Sequence, residues 1–333
     1  MKLGKNLVRT ALTGLMAIAT AAAATSAVAE SADYPKRQPV RLIVGYPAGG
    51  TVDLNARLLG EALADHLGQN VVVENLGGAG GTIAAQKVVK EKSDGYVLFL
   101  GSLNEMVIAQ LVNPSVKYDG QKDFTPIGLI GTQPVLLAAS KKSNIKNMDD
   151  YIRVLKQGDS ESYSFGSSGV GTAFHLLGEM INAATDTQVQ HVPYRGVPPL
   201  VTDMLSGQLD FGVFGISSGL PHVQSGAIIP LGTSLKERSA FAPDVPALSE
   251  NPALKDLNIS SWFGLFGPKN MPEDVVAKLK GTLNDILNDP AFKDKYAQAT
   301  FGSVYSEPVD MQAFLEQEHV TYQKAAQQAG IGR

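Results

Sequence analysis

Apolar and polar positions along the chain follow two periods, which predict strands and helices in turn. Short apolar runs predict strands over residues 40–45, 71–74 and 96–100. Between them, apolar residues recur three and four positions apart, which predicts helices over 52–66 and 83–90. This βαβαβ order indicates parallel strands joined by right-handed crossovers.

A second unit with the same alternation follows the first. Its predicted elements are a strand over 136–140, a helix over 148–157, a strand over 162–165, a helix over 172–184, and strands over 189–192 and 211–214. Two such units in one chain predict an α/β fold with two lobes. We expect each lobe to be a mostly parallel sheet flanked by helices, with a ligand cleft between the lobes.

The predicted strands end in loops rich in glycine and hydroxyl groups. Four such loops lie at 47–50, 101–104, 165–169 and 194–196. Ligands of open parallel sheets bind at the carboxyl ends of the strands, and small residues let backbone N–H groups and helix N-termini approach an anion. Any single loop is equally well explained as a turn that needs glycine. Four of them in two units favour a site for a carboxylate or another anion.

The amino terminus has the three regions of an export signal. The first nine residues carry three basic side chains and no acidic one, residues 11–24 are apolar, and Ala27-Val28-Ala29 is a small-x-small cleavage site. The apolar run is shorter than the ~20 residues that a membrane-spanning helix needs. We therefore expect cleavage near Ala29, no stable membrane insertion, and a mature protein in the periplasm that begins at about Glu30.

Composition narrows the range of partners and chemistry. The formal net charge is −4, and the predicted cleavage removes three further positive charges. No basic block remains, which argues against nucleic acid as a partner. The chain has no cysteine, which excludes disulfides and thiolate chemistry, and its five histidines lack the spacing of a metal site. We expect no metal and no cofactor.

One motif is compatible with a hydrolase. Residues 215–219 match the G-x-S-x-G pattern of a hydrolase nucleophile, with Ser217 as the nucleophile and with His222 and His319 downstream. The chain has no HGGG-type oxyanion segment, and Pro221 lies where such an elbow continues into a helix. A secreted hydrolase is therefore a remote alternative, and we expect the protein not to be an enzyme.

Seven segments in order resemble one known family. They are "VGYPAGGTVDLNAR", "VVVENLGGAGG", "SDGYVLFLGS", "YSFGSSGVGTAFHLLGEMI", "HVPYRGVPPLVTDMLSGQLD", "LPHVQSG" and "APDVPALSE". Together they are similar to the Bug family, the TctC-like periplasmic receptors of tripartite tricarboxylate transporters, from about Tyr34 to the carboxyl terminus. The resemblance implies a type II periplasmic binding fold whose chain crosses between lobes, with 30–132 and 252–333 in lobe 1 and 133–251 in lobe 2.

The resemblance also implies which residues hold the ligand. By position in the motifs they are Pro47, Ala48, Gly49, Gly50, Asp53, Ser102, Asn104, Ser167, Ser168, Gly169, Thr172, His175, Tyr194, Arg195, Gly196 and Gly215. Three of these have a second interpretation. Asp53 is as well suited to capping its helix or fixing its loop, His175 to packing, and Arg195 to a surface or interlobe contact. Ser168 and Thr172 are the hydroxyls that we expect to donate to a ligand carboxylate.

The chain departs from the family pattern at four positions. Val52 replaces a threonine of the first loop, and Asn104 and Glu105 occupy a loop that is usually small and apolar. Gly215 replaces an aspartate that would pair with a ligand amino group. Burying an ammonium without an acidic partner is costly. We therefore expect a di- or tricarboxylate or an aromatic carboxylate rather than an amino acid.

The resemblance implies a receptor that captures a small organic carboxylate and delivers it to a two-component membrane permease. We expect a monomer that closes on its ligand. The alternative is a receptor that presents its bound state to a sensor kinase. The ligand cleft would be identical in the two cases.

Overall fold

The computed structural model describes residues 33–158, 160–300 and 302–331. The predicted signal peptide, 1–29, lies outside these residues. Within them, no helix combines the length and the apolar character needed to cross a membrane.

Ten strands form one sheet in the described chain. They are β1 Val40–Val44, β2 Val71–Asn75, β3 Val97–Ser102, β4 Phe124–Ser140, β5 Ser164–Ser167, β6 Gln190–Pro193, β7 Phe211–Gly215, β8 Ile228–Thr233, β9 Ser260–Pro268 and β10 Ser303–Val304. The order across the sheet is β2-β1-β3-β9-β4-β7-β5-β6, and β8 and β10 also pair with β4.

Helices cover the faces of this sheet. The α-helices are α1 Thr51–Leu67, α2 Thr82–Val88, α3 Ala109–Val112, α4 Met148–Gln157, α5 Ala173–Thr185, α6 Val197–Ser206, α7 Ile216–Gln224, α8 Glu273–Asn288, α9 Pro290–Thr300 and α10 Met311–Gln328. A π-helix, Asn104–Ile108, directly precedes α3, and short 3-10 turns lie at Ala79–Gly81, Lys141–Ser143, Ser160–Ser162, Leu248–Glu250 and Pro252–Leu254.

The βαβαβ unit predicted from the first third of the sequence is confirmed. Strand β1 pairs in parallel with both β2 and β3, and α1 connects β1 to β2. Leu59 and Leu63 of α1 are fully buried, as the helical spacing predicts. The helix ends at Gly68, whose φ of 62° is the left-handed conformation that glycine adopts most readily.

The prediction of mostly parallel sheets is corrected by the pairing of β4 and β9. Strand β9 is antiparallel to β3 and to β4, and β4 is antiparallel to β7, β8 and β10. The sheet is therefore mixed. The sequence pattern missed the first part of β4 because Pro126, Gly128 and Gly131 interrupt it, and the register shifts at these positions.

Strand β4 divides the sheet into two halves. Its residues up to Pro134 pair with β9, and from Val135 onward they pair with β7 and β8. We call β1, β2, β3, β9, β10 and residues 124–134 of β4 the first half, and β5 to β8 with residues 135–140 of β4 the second half. The carboxyl-terminal helix α10 packs against both the π-helix of the first half and α5 of the second. The ends of β1, β3, β5 and β6 carry the candidate loops.

Candidate functional site

The loop after β1 is held from within by Asp53. This carboxylate is 3% exposed and accepts hydrogen bonds from Gly49 N–H (2.9 Å), Arg57 Nε (2.9 Å) and Asn75 Nδ2 (2.9 Å). Burial alone would raise the pKa of Asp53, but these three donors outweigh it and hold the pKa below its ordinary value. Gly50 provides the N-cap of α1 without a side-chain bond. Asp53 therefore fixes the loop.

Asn104 joins the two halves of the sheet. Its Nδ2 donates to the Tyr46 hydroxyl at 2.6 Å, and its Oδ1 accepts from the backbone N–H of Ala173 at 2.6 Å. Ala173 is the first residue of α5, so the amide satisfies an N–H group that the helix itself leaves unpaired. A second contact across the halves joins Thr51 Oγ1 and Ser218 Oγ at 2.9 Å.

The hydroxyl groups in the loop after β5 differ in their hydrogen-bond partners. Thr172 is the N-cap of α5: its Oγ1 accepts from His175 N–H (3.3 Å) and donates to the Gly169 carbonyl (2.9 Å). Ser167 Oγ bonds to Gly169 O at 3.0 Å and to His191 Nε2 at 2.7 Å. The hydroxyls of Ser167 and Thr172 therefore stabilise the loop itself. For Thr172 this differs from the expectation that it donates to a ligand, because its hydrogen is already donated to the Gly169 carbonyl.

Ser168 is the exception in this loop. It is 3% exposed, and its Oγ finds no hydrogen-bond partner among the described residues. Nearly all buried hydroxyls in folded proteins are hydrogen-bonded, so an unpaired one requires an explanation. Because Ser168 also lines the cavities described below, the explanation that the geometry favours is a ligand.

His175 packs behind the loop. Its Nδ1 accepts from Gly171 N–H at 3.3 Å, and its ring stacks on that of His191 with centroids 4.0 Å apart. Burial, with a smaller contribution from His175, lowers the pKa of His191 to about 3, so His191 is neutral. The packing alternative for His175 is thus the one that the structure supports.

Two cavities open between these loops, and they share Tyr46 and Ser168. The narrow cavity, about 10 Å³, is lined by Tyr46, Pro47, Gly50, Thr51, Val52, Ser102, Asn104, Ser168, Phe174, Val197, Pro198, Ser261 and Phe263. The wide cavity, about 280 Å³, is lined by Tyr46, Gly78, Ala79, Gly80, Asn113, Ser168, Gly169, Val170, Pro193, Tyr194 and Arg195. Both walls combine residues from the two halves.

Arg195 supplies the charge of the wide cavity. It is exposed, and no ion pair or hydrogen bond of its guanidinium occurs within the part of the chain that the structure describes. Its neighbour Tyr194 instead donates to Asp203 Oδ2 at 2.7 Å, and burial together with Asp203 raises the pKa of Tyr194 to about 12. Among the described residues on the two cavity walls, Arg195 is the single charged side chain.

The predicted site residues therefore fall into two groups. Those on a cavity wall are Pro47, Gly50, Ser102, Asn104, Ser168, Gly169, Tyr194 and Arg195. Those that do not line either cavity in the described structure are Ala48, Gly49, Asp53, Ser167, Thr172, His175, Gly196 and Gly215. Gly196 packs on the loop after β1, where an added Cβ would meet Pro47 Cδ at 2.8 Å.

Several wall residues were not predicted from the sequence. Tyr46 lies between the first predicted strand, 40–45, and the first loop, 47–50, so its position could have indicated it. Phe174 lies within the helix predicted over 172–184, and its apolar side chain gave no sign of a ligand contact. Ser261 and Phe263 belong to β9, a continuous buried run without the alternation that marks a half-buried strand.

Comparison with known proteins identifies the family. The profile of the tripartite tricarboxylate transporter family receptor, TctC, matches residues 55–331. The chain belongs to this family. BugT of Bordetella pertussis is 31% identical over 311 residues, which cover 92% of this chain and 94% of BugT. The Bug resemblance is thus confirmed.

Solved structures of TctC-like proteins share the fold. R. palustris Rpa4515, solved with adipate, superposes with a TM-score of 0.85 at 30% identity and covers 90% of this chain and 99% of its own. MatC from Rhodopseudomonas palustris, solved with bound malate, has a TM-score of 0.81 at 27% identity and covers 87% of this chain and 99% of its own. The α/β periplasmic binding fold predicted for this chain is confirmed.

Gly215 lies at the contact between the halves of the sheet. A Cβ at this position would be 2.7 Å from Thr51 Oγ1 and 3.2 Å from Gln133 Nε2. Thr51 lines the narrow cavity, so a side chain at position 215 would contact a wall residue and not the cavity itself. Ser217, the nucleophile of the hydrolase alternative, donates to Thr51 Oγ1 at 3.3 Å, whereas His319 Nδ1 contacts Gln110.

Proposed function

We propose that this protein is a periplasmic receptor that captures a small organic carboxylate and delivers it to the permease of a tripartite tricarboxylate transporter. The observation that carries the proposal is the combination of Ser168 and Arg195. A buried hydroxyl without a partner and a guanidinium without a partner among the described residues lie on the same cavity wall. Both are donors to an oxyanion, and charge-assisted bonds of this kind are stronger than neutral ones.

The ligand class follows from what the walls offer. Within the described structure, neither cavity wall carries an aspartate or glutamate that could pair with an ammonium group. Asp53 or Glu105 could have replaced the missing acid at position 215. The oxygens of Asp53 are engaged by Gly49, Arg57 and Asn75. Glu105 lines neither cavity. We therefore propose a non-aminated acid, with a small dicarboxylate as the first candidate. The adipate and malate complexes of the two TctC-like proteins support this choice.

We also propose that the protein has two lobes joined by a hinge. The halves of the sheet meet where β4 changes partner, between Pro134 and Val135, and the cavity walls draw on both halves. We propose that the halves act as the lobes and separate to admit a ligand, because the narrow cavity of about 10 Å³ holds no more than about one water molecule.

The test is direct binding with matched acids. Thermal-shift and calorimetric titrations of the exported protein should show binding of adipate, succinate or malate and no binding of aspartate or glutamate. Citrate and a benzoate-type acid extend the panel. Micromolar binding of the amino acids with no response to any of the other acids would overturn the ligand assignment.

A variant tests the site itself. Arg195→Gln removes the charge of the wide cavity, and we expect adipate affinity to fall roughly 10- to 150-fold through the loss of about 1.5–3 kcal/mol. Arg238→Gln is the control, because Arg238 is paired with Glu250 away from both cavities and its loss should leave binding unchanged. Equal affinities for the two variants would remove Arg195 from the site.

A further inference from the structure

Glu105 is a buried carboxyl group directly behind the narrow cavity. Its relative exposure is 0%, and no described residue forms an ion pair with it. Its Oε1 lies against the backbone of the neighbouring loops: a Cβ built on Gly81 would be 2.1 Å from it, and one on Gly45 would be 2.9 Å away. This oxygen also has no hydrogen-bond partner among the described residues.

The other carboxyl oxygen of Glu105 holds Ser102. Oε2 accepts from Ser102 N–H at 3.0 Å and forms a short hydrogen bond with Ser102 Oγ. Ser102 lines the narrow cavity. An ionised carboxylate is only an acceptor, so the hydrogen of Ser102 Oγ must then point at Glu105 and away from the cavity.

Protonation reverses this hydrogen bond. A proton on Oε1 would have no acceptor, whereas a proton on Oε2 faces Ser102 Oγ. The neutral carboxyl group then donates to Ser102, whose own hydrogen becomes free to point into the cavity. The same step removes a buried negative charge that would repel an anionic ligand.

We propose that Glu105 couples proton uptake to the binding of a ligand carboxylate, by controlling through Ser102 whether the narrow cavity offers a hydrogen-bond donor. Glu105 is thus a positioning residue for the ligand, and the inference rests on the proposed function. The proton comes from solvent, and one is taken up for each ligand bound whenever Glu105 is ionised in the empty receptor. Binding linkage is reciprocal, so the ligand must also favour the protonated form of Glu105.

The environment of Glu105 sets the pH range in which it takes up or releases the proton. Burial, opposed by the bonds from Ser102, raises the pKa of Glu105 to about 7. The titratable groups that face it are the hydroxyls of Tyr46 and Tyr118, and burial raises the pKa of both, so they stay neutral. Tyr118 OH donates to the Glu105 backbone carbonyl at 2.8 Å.

The experiment is a pH series of adipate binding by calorimetry, from pH 6 to 9, where adipate remains a dianion. For the wild type we expect the dissociation constant to rise above about pH 7 by up to tenfold per pH unit, the limit for one linked proton. Titration in two buffers of different ionisation enthalpy should show uptake of up to one proton near pH 8. This measurement needs no variant.

Glu105→Gln mimics the neutral carboxyl group, so its affinity at pH 8.5 should match that of the wild type at pH 6, without proton uptake. Glu318→Gln is the matched control: Glu318 is a half-buried carboxyl that accepts from Trp262 Nε1 at 2.7 Å and lines neither cavity. It should keep the wild-type pH dependence.

Binding of adipate with a flat pH profile and no proton uptake would overturn the role of Glu105 and leave the receptor function intact. A pH dependence that persists unchanged in Glu105→Gln would assign the linked proton to another group and overturn the inference as well. If adipate, succinate, malate and citrate all fail to bind at every pH, the proposed function and this inference fail together.

Discussion

Substituting Ser168 by alanine should change stability and affinity in opposite directions. The Ser168 hydroxyl is buried without a partner in the described structure, so the empty protein loses no hydrogen bond when it is removed. A ligand carboxylate in the cavities does lose a donor. We therefore expect Ser168→Ala to unfold at a higher temperature than the wild type and to bind adipate more weakly.

The magnitudes follow from the cost of unpaired polar groups. A buried hydroxyl without a partner costs about 1–3 kcal/mol, and a hydrogen bond to a charged group contributes about 1.5–3 kcal/mol. Ser168 lies at the cavity wall, where solvent offsets part of this cost. We therefore expect the lower limit for Ser168→Ala, a free energy of unfolding about 1 kcal/mol higher than that of the wild type. That gain corresponds to roughly 2 °C in melting temperature for a chain of this size. The affinity should fall about 10- to 150-fold.

The assay pairs thermal denaturation of the empty protein with calorimetric titration of adipate. Ser234→Ala is the matched control, because Ser234 is equally buried but accepts from Val135 N–H at 3.0 Å and donates to the Ile259 carbonyl. This control should lose about 1–3 kcal/mol of stability and keep its affinity. If Ser168→Ala is destabilised as much as Ser234→Ala, or binds as tightly as the wild type, the assignment of Ser168 as a free ligand donor is refuted.

Three further predictions concern the residues that support the cavities. Thr172→Ala should lower the free energy of unfolding by about 0.5–2 kcal/mol in denaturant titrations, because Thr172 caps α5, and Thr172→Ser should restore most of the loss. Relative to Glu105→Gln, the wild type should lose stability as pH rises from about 4.5 to about 7, since the pKa of Glu105 is raised from 4.5 to about 7 and the folded state holds the extra proton in that window. The relative loss should total about 3 kcal/mol in urea titrations at fixed pH, and the comparison cancels the opposite contribution of His191, which both proteins share. Gly81→Ala should cost more stability than Gly49→Ala, measured in the same way. Both glycines have positive φ, 90° and 82°, but a Cβ at 81 would lie 2.1 Å from Glu105 Oε1, whereas one at 49 has no atom within 4 Å. Equal costs would show that backbone strain alone is responsible.

Local sequence patterns were sufficient to predict the individual elements and the position of the loops. Apolar spacing in α1 and the short apolar runs of β1, β2 and β3 are local patterns, and they predicted these elements to within one or two residues at each end. The rule that ligands bind at strand ends then placed Ser102, Ser168 and Arg195 near a common site, and all three lie on cavity walls.

Strand pairing and the hydrogen-bond state of the polar groups depend on contacts between residues far apart in the chain. The 17-residue strand β4 is interrupted by glycine and proline in sequence, and it is a strand because β9 and then β7 supply its partners. Ser168 and Thr172 look equivalent in the sequence, yet the Ser168 hydroxyl is unpaired in the described structure, whereas the Thr172 hydroxyl is hydrogen-bonded as a helix N-cap. Hydrogen-bond partners and burial depend on residues distant in the chain, as Asn104 and Ala173 show, and no local pattern records them.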